Sequence, residues 1–345
     1  MSTTALPRDL ELSARVLASP QDFRVLTGDR PTGALHVGHF FGTLNNRVLL
    51  QDLGVAMFVL VADYQVITDR DVTGRIGETV EGIVLDYLAA GLDPERTTIF
   101  AHSAVPALNQ LILPFLSLVS TSELSRNPTV KEEIAQAGRS HVSGLMFTYP
   151  VHQAADLLFC KSNLVPVGDD QLPHIELTRT IARRFNDRYK PLFPLPEAML
   201  STAPRLLGTD GGKMGKSRGN SVRLRATADE TALMIKGAKT DGERRITFDP
   251  AGRPEVSNLV LLAALAADRD PYEVAAEIGD GGAAVLKRTV TEAVNERLRP
   301  MRERRAELAA DPGLVHRVLR AGNASANAVA ESTLAEVHEA MGTRY

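Results

Sequence analysis

Two stretches of the chain carry residue types suited to phosphate chemistry. The first runs Gly28-Asp29-Arg30-Pro31-Thr32-Gly33-Ala34-Leu35-His36-Val37-Gly38-His39. It sets His36 and His39 three residues apart with Gly38 between them, directly ahead of an apolar pattern of helical period. A helix N-terminus attracts phosphate, and a glycine there lets a nucleotide pack against the backbone. Imidazoles at this place, neutral or protonated, can donate hydrogen bonds to phosphate oxygens as charge builds in a transition state. Two exposed histidines at a helix start are the alternative. The second stretch is Gly211-Gly212-Lys213-Met214-Gly215-Lys216-Ser217-Arg218-Gly219. Its glycines permit unusual dihedrals, and a loop of this kind can close over a triphosphate, deliver two ammonium groups and reopen. The glycine and lysine spacing is not that of a Walker A loop, and a solvated loop is the alternative.

The surrounding pattern says what must position these groups. Phe23–Leu26 reads as a strand, followed by a helix from Phe40 to Leu53 with Phe40, Leu44, Val48 and Leu49 on one face. Met57–Val61 is a continuous apolar run, as expected of a strand buried on both faces. A helix over Val72–Ala90, a strand at Thr97–Phe100 and a helical stretch over Leu108–Val119 follow. This alternation predicts βαβ units on a parallel sheet, with ligands at the carboxyl ends of its strands. Ser122–Gly138 is polar and helix-compatible. Tyr149–Cys160 then reads as helix, Leu164–Val167 as strand and Gln171–Tyr189 as an amphipathic helix. Pro191, Pro194, Pro196 and Pro204 make the next segment a connector. Past Ser221 only Arg245–Phe248 has any strand character; the rest is helical to Met341. The expectation is an α/β fold: residues 1–20 an extension, 21–225 a Rossmann-like parallel-sheet domain, and 226–345 an all-helical domain whose last helix is a candidate to pack back on the sheet.

At 345 residues, with 44% apolar and 23% charged side chains, the chain has the composition of a globular protein large enough for two domains. Its net charge of −3 conceals an asymmetry: fifteen Lys/Arg against seven Asp/Glu between Arg179 and Arg245 leave that segment at +8 and the remainder at −11. A basic segment on an acidic protein points to a polyphosphate or nucleic-acid partner, or else to a solvated helix face. Arg179, Arg183, Arg184 and Arg188 share one helix face and are open to both readings. The single cysteine, Cys160, lies in an apolar run and excludes a disulfide framework or a cysteine metal site within one chain. No apolar run of membrane length appears, so a cytoplasmic protein with no membrane partner is expected.

Taken together and in this order, the HxGH turn and the Lys-Met-Gly-Lys-Ser loop resemble the paired signatures of class I aminoacyl-tRNA synthetases. The resemblance implies ATP-dependent amino-acid activation on a Rossmann-like catalytic domain. Thr148-Tyr149-Pro150, Ala154-Ala155-Asp156, Val165-Pro166-Val167-Gly168-Asp169-Asp170-Gln171 and His174-Ile175-Glu176-Leu177-Thr178-Arg179 look like the bacterial tryptophanyl-tRNA synthetase family, with likeness from about Val25 to Gly342. That family implies an Asp156 carboxylate accepting the indole N–H, and Tyr149 and Gln171 holding the substrate ammonium, with Gln153 and Gln65 beside the indole. A surface carboxylate is the alternative for Asp156. Gly168 and Asp170 match positions near the ribose, with Asp169 between them in the ATP-binding set. Arg30, Pro31, Thr32, Gly38, His39 and Leu206 match others around ATP, as do Lys213, Met214, Gly215, Lys216 and Ser217 of the loop. Lys213 and Lys216 are expected on the leaving pyrophosphate and His36 and His39 on the ATP phosphates. ATP enters with Mg2+, and no metal site built from protein side chains is expected. Implied partners are tRNA(Trp), L-tryptophan and a second copy of the chain, with the helical domain, carrying Lys236, Lys239, Arg244 and Arg245, as the anticodon platform. Leu108–Val119 is a candidate interface segment, or equally core.

Three positions depart from the family pattern. Gly215 replaces the usual serine of the lysine loop, Gln65 a histidine, and Gln153 a methionine that contacts the indole. A more polar pocket, with altered tolerance of substituted tryptophans, is the expected consequence. Tyrosyl-tRNA synthetase shares the architecture and both signatures and is the nearest rival. A regulatory paralogue that keeps the fold and binds another protein is a reading of a different class, and another HxGH nucleotidyltransferase is a third. The chain contains no tryptophan, which would make its own synthesis insensitive to scarcity of that amino acid.

Overall fold

The computed structural model describes residues 10–68, 76–131, 143–168, 171–200, 206–216 and 218–345. Expectations at Asp169, Asp170, Ser217 and Pro204 lie outside them, as do the start of the helix expected from Val72 and the end of the Ser122–Gly138 stretch.

Helix α1 (Leu10–Ala18) precedes strand β1 (Arg24–Asp29). After the signature turn come α2 (Val37–His39), a π-helical turn (Phe40–Leu44) and α3 (Asn45–Asp52). Strand β2 (Ala56–Val61), α4 (Ile76–Ala90) and β3 (Thr97–Ala101) complete the first half. The second half holds α5 (Pro106–Gln110), α6 (Ile112–Leu116), α7 (Thr121–Arg126), α8 (Gly144–Leu158), β4 (Leu164–Val167), α9 (Leu172–Arg188) and β5 (Glu197–Leu200). The chain ends in α10 (Ala228–Lys236), α11 (Pro254–Ala267), α12 (Pro271–Ile278), α13 (Gly282–Ala309) and α14 (Leu314–Met341).

All five strands run parallel in the order β3-β2-β1-β4-β5. Alternation along the strands sends Val25, Met57, Val59, Val61, Ile99 and Leu164 to one face. Leu26, Phe58, Leu60, Phe100 and Val165 go to the other, so each face has its own core and the strands read as unbroken apolar runs. The first core takes in α1, α4 and the helices from α10 to α13, while the second takes in α5 to α9 and the later part of α14.

Four expectations are corrected. From Leu10 onward the N-terminal stretch is a packed helix, with Leu12 and Val16 buried in the first core. On α3 the buried side chains are Asn46, Arg47, Leu50 and Gln51, with Val48 only partly buried at the edge of the first core, because the wide π turn carries an extra residue and rotates the helix that follows. Glu197–Leu200, read as connector among prolines, is an edge strand; an edge strand tolerates prolines just ahead of it. Arg245–Phe248 joins no ladder, although Ile246 is buried and its N–H donates to Gly279 O at 2.8 Å. Over Leu108–Val119, Leu108, Leu111, Ile112, Phe115 and Leu118 are core, and Leu113 is 76% exposed.

Helix α14 returns to cover β3. Asn323 Oδ1 accepts from Ala101 N–H at 3.0 Å, Asn327 Nδ2 donates to Ala104 O at 2.7 Å, and Thr333 Oγ1 to Phe159 O at 2.7 Å. The first of these bonds occupies a backbone group that the edge strand β3 would otherwise leave open, and the other two tie the helix to the turn after β3 and to the end of α8. The close approach rests on Gly322, where a Cβ would stand 1.8 Å from Ile99 O. Gly322→Ala is therefore expected to lift α14 from the sheet and cost about 2–3 kcal/mol, at the upper end of overpacking effects. Urea unfolding of the two proteins measures this, and a loss within about 0.5 kcal/mol would show that the helix shifts freely.

Candidate active site

β1 and β4 are in register at Val25 and Leu164, and among the described residues no pairing is made beyond that point. Pro166 has no N–H with which to extend the ladder. The two strands therefore part at their carboxyl ends, at the place where the strand order reverses, which is where open α/β sheets bind ligands. A cavity of about 450 Å³ opens there, between Leu26–Asp29 on one side and Val165–Gly168 on the other.

The residues expected to hold an amino acid converge in this cavity: Gln65, Tyr149, Gln153, Asp156 and Gln171 all line it. Asp156 is 1% exposed. Its Oδ2 accepts from Gln65 Nε2 at 2.8 Å, and its Oδ1 lies 3.1 Å from His102 Nδ1. Burial pushes this carboxyl up to about 6, against the opposing pull of His102 and Gln65. Asp156 is thus a buried acceptor and not a surface carboxylate. Gln65, one of the positions expected to alter the pocket, meets the carboxylate directly. Tyr149 Oη is 3.3 Å from His174 Nε2, and Gln153 Nε2 donates to Gln171 Oε1 at 3.3 Å.

Arg30, Thr32, His39, Gly168 and Lys216 line the same cavity. Lys216 Nζ donates to Arg30 O at 2.8 Å, which lays the lysine loop across the Gly28–Gly33 turn. Burial draws the Lys216 ammonium below its ordinary range, with Asp29 opposing. Lys213 is exposed and lies outside the lining, as do Pro31 and Leu206, both buried, and Gly215. Met214 and Gly38 couple the two signatures: a Cβ on Gly38 would meet Met214 Sδ at 3.3 Å and His36 Nδ1 at 3.0 Å. The strand-like pieces around them are tied as well, Val37 N–H donating to Val222 O and Leu224 N–H to Leu35 O, each at 3.0 Å.

The rings of His36 and His39 pack with centroids 3.9 Å apart. Burial lowers His36 to about 4 and His39 to about 3, so both are neutral at physiological pH. His39 Nδ1 accepts from His36 N–H at 3.3 Å, which leaves the ring proton on Nε2. His39 faces the cavity, whereas His36 is buried beside it and caps α2.

Sequence reasoning passed over the support beneath His39. Arg47 is 1% exposed and donates to Asp29 Oδ2 at 2.8 Å, to Thr27 Oγ1 at 3.1 Å and to Gly28 O at 3.3 Å. Tyr87 Oη also donates to Asp29 Oδ2, at 2.7 Å. Burial by itself would raise Asp29, yet Arg47, Lys216 and His39 together hold its carboxyl well below the usual range. The available signal was Arg47 itself, a charge at the helical spacing of Phe40 and Leu44. Asn220 was missed too: its Nδ2 donates to Asp210 Oδ1 at 2.9 Å and to Lys213 O at 3.1 Å, and its Oδ1 accepts from Gly215 N–H at 3.1 Å. One side chain thereby shapes the whole lysine loop.

The model of the class I tRNA synthetases specific for W and Y matches residues 19–299. The chain belongs to that family. This synthetase is 43% identical over 339 residues to the tryptophan–tRNA ligase of Streptococcus pyogenes serotype M1, covering 93% of this chain and 98% of that one. It resembles the Campylobacter jejuni tryptophanyl-tRNA synthetase solved with ADP and tryptophan, with a TM-score of 0.79, 28% identity, and 92% and 99% of the two chains covered. The Mycoplasma pneumoniae tryptophanyl-tRNA synthetase matches with a TM-score of 0.80 at 26% identity, covering 93% of this synthetase and 97% of that chain. The tyrosyl-tRNA synthetase of Aeropyrum pernix, at 21% identity and a TM-score of 0.69, shares the fold.

Proposed function

We infer that this synthetase is a tryptophan–tRNA ligase, which activates L-tryptophan with ATP and transfers it to tRNA(Trp). The observation that carries the amino-acid assignment is Asp156, a buried carboxylate in the cavity wall of a chain whose near full-length relatives are tryptophan–tRNA ligases. A site built to bond an indole N–H leaves that carboxylate unpaired when the N–H is absent, and so rejects phenylalanine-like substrates. Tyr149 and Gln171 take the substrate ammonium, and Gln153 flanks the ring.

In the first step the tryptophan carboxylate attacks the α-phosphorus of Mg-ATP. The new P–O bond gives tryptophanyl-adenylate, and the bond to the β-phosphate breaks to release pyrophosphate. Positioning and charge stabilisation supply the acceleration. His39 donates from neutral Nε2–H, with His36 packed behind it, and Lys216 meets the leaving pyrophosphate. Lys213 joins it as the loop closes, with Met214 and Ser217 carried along. Arg30, Thr32, Gly168, Asp169 and Asp170 hold the nucleotide. A hydroxyl of the terminal ribose of the tRNA then attacks the carbonyl carbon of the adenylate; the new ester bond carries the tryptophanyl group to the tRNA, and the bond to the phosphate breaks to release AMP.

The helices after residue 226 receive the anticodon end. Lys236 of α10 and Lys287 and Arg288 of α13 line one groove and suit a phosphate backbone. Arg179 and Arg184 are committed elsewhere, to Pro196 O at 2.9 Å and to Glu123 at 2.6 Å. The protein works in the cytoplasm as a homodimer. Tryptophan- and tyrosine-dependent ATP–pyrophosphate exchange, measured side by side, tests the assignment. Exchange with tryptophan alone is expected; preference for tyrosine, or no exchange with either, would overturn it.

A further inference from the structure

The environment of Asp156 contains a residue that nothing above assigns. His102, in the turn after β3, is 0% exposed. Its Nδ1 lies 3.1 Å from Asp156 Oδ1 and its Nε2 2.9 Å from Asn109 Oδ1. The two atoms stand at ion-pair distance without the alignment of a hydrogen bond, and among the described residues neither has another hydrogen-bond partner, so His102 acts on Asp156 through its place and charge. Gln65 holds Oδ2 by a hydrogen bond, while Oδ1 lies against His102 and keeps its acceptor capacity for a ligand.

We propose that His102 is the positioning residue for amino-acid recognition in this synthetase: it orients Asp156 and keeps it ionised as the indole N–H acceptor. The proposal rests on the reading of Asp156 given above. The direction follows from opposing effects. Burial favours the protonated carboxyl, and His102 is the foremost group opposing it. Loss of His102 therefore moves the protonation of Asp156 to higher pH, and a protonated carboxyl is a poorer acceptor. The neighbours on each packed element do not replace it. Just past α8, Cys160 has its thiol pushed up to about 12. Within α8, burial, with His102, draws His152 below the ordinary histidine range. From the turn after β2, Tyr64 lies against His102 at 5.4 Å between ring centroids. Asp63 of the same turn is bonded to Ser103 N–H at 2.9 Å and to the Ser103 hydroxyl. Asn109 of α5 carries no charge.

Because the chain has no tryptophan, the fluorescence of added tryptophan reports binding without background. Binding and ATP–pyrophosphate exchange are to be followed between pH 5.5 and 8.5 for wild type, His102→Ala and His102→Gln. Wild-type tryptophan affinity is expected to fall on the acid side, with that limb about one pH unit higher in His102→Ala. This raises Kd and KM for tryptophan about twofold at pH 7 and nearly tenfold at pH 5.5, with KM for ATP unchanged. His102→Gln, which restores a donor without an exchangeable charge, should recover most of the affinity at pH 8 with the limb in between. An unmoved limb in His102→Ala, or equal losses for tryptophan and ATP in both variants, would overturn the proposal. The Asp156 reading is tested separately with 3-benzothienylalanine, which replaces the indole N–H by sulfur. If wild type takes it as well as tryptophan, that reading fails; if wild type rejects it and His102→Ala behaves as wild type, only the role of His102 fails.

Discussion

Lys216→Ala is expected to slow the burst of pyrophosphate release about 10²–10³-fold, the usual cost of one preorganised contact to developing charge. The KM for tryptophan should stay within about twofold, because the lysine is bonded to Arg30 O and not to Asp156 or its neighbours Gln65 and His102, and is needed only as the leaving group gains charge. The geometry explains why the effect should be large. Lys216 Nζ is held 2.8 Å from Arg30 O, over a cavity wall containing His39 and Asp29. Its ammonium is partly stripped of water by burial, so its attraction to phosphate is less screened than that of Lys213, which is exposed. The same reasoning gives Lys213→Ala the smaller effect unless closure of the loop is itself rate-limiting. Rapid-quench measurement of the first turnover separates these cases, and an unchanged burst in Lys216→Ala would remove the residue from the role.

Asp29→Ala is expected to cost about 3–5 kcal/mol of folding stability, since it leaves the Arg47 guanidinium buried without its counter-charge. Arg47 is 1% exposed and would keep Thr27 Oγ1, Gly28 O and the Tyr87 side chain, all uncharged, as partners. Tyr87 would lose its acceptor at the same time. The pH dependence has a definite sign. Asp29 is depressed in the folded state, so its stabilisation is present above its unfolded pKa, near 4, and fades as pH falls below it. The gap between wild type and Asp29→Ala in urea should be widest at pH 7 and narrow in acid. A gap below about 1 kcal/mol at pH 7 would mean that water or another side chain satisfies Arg47. Asp29 also faces His39 at 3.8 Å, so a variant that still folds should form adenylate more slowly.

Much of this protein could be read from residue order alone. The strands of a parallel sheet announce themselves because both faces are covered, which removes polar alternation and leaves runs such as Met57–Val61. The two signature loops are local in sequence, so spacing suffices to find them. Asp156, Tyr149, Gln153 and Gln171 came from likeness to a family and not from pattern, since a carboxylate on one turn of a helix is equally at home on a surface. Its burial was settled by α8 packing against the parted ends of β1 and β4.

Contacts between distant segments were not legible in the same way. Asp29, Arg47 and Tyr87 lie on β1, α3 and α4 and meet only when three elements pack; the spacing of Arg47 with Phe40 and Leu44 does not say which partner it meets. His102 and Gln65 reach Asp156 from the ends of two different strands. Local sequence therefore determined the strands, the helices and the two signature loops, because hydrogen bonding and hydrophobic period act over a few residues. Tertiary structure alone decided which buried charges face one another, because a buried ion is tolerated only where a partner from elsewhere in the chain completes it.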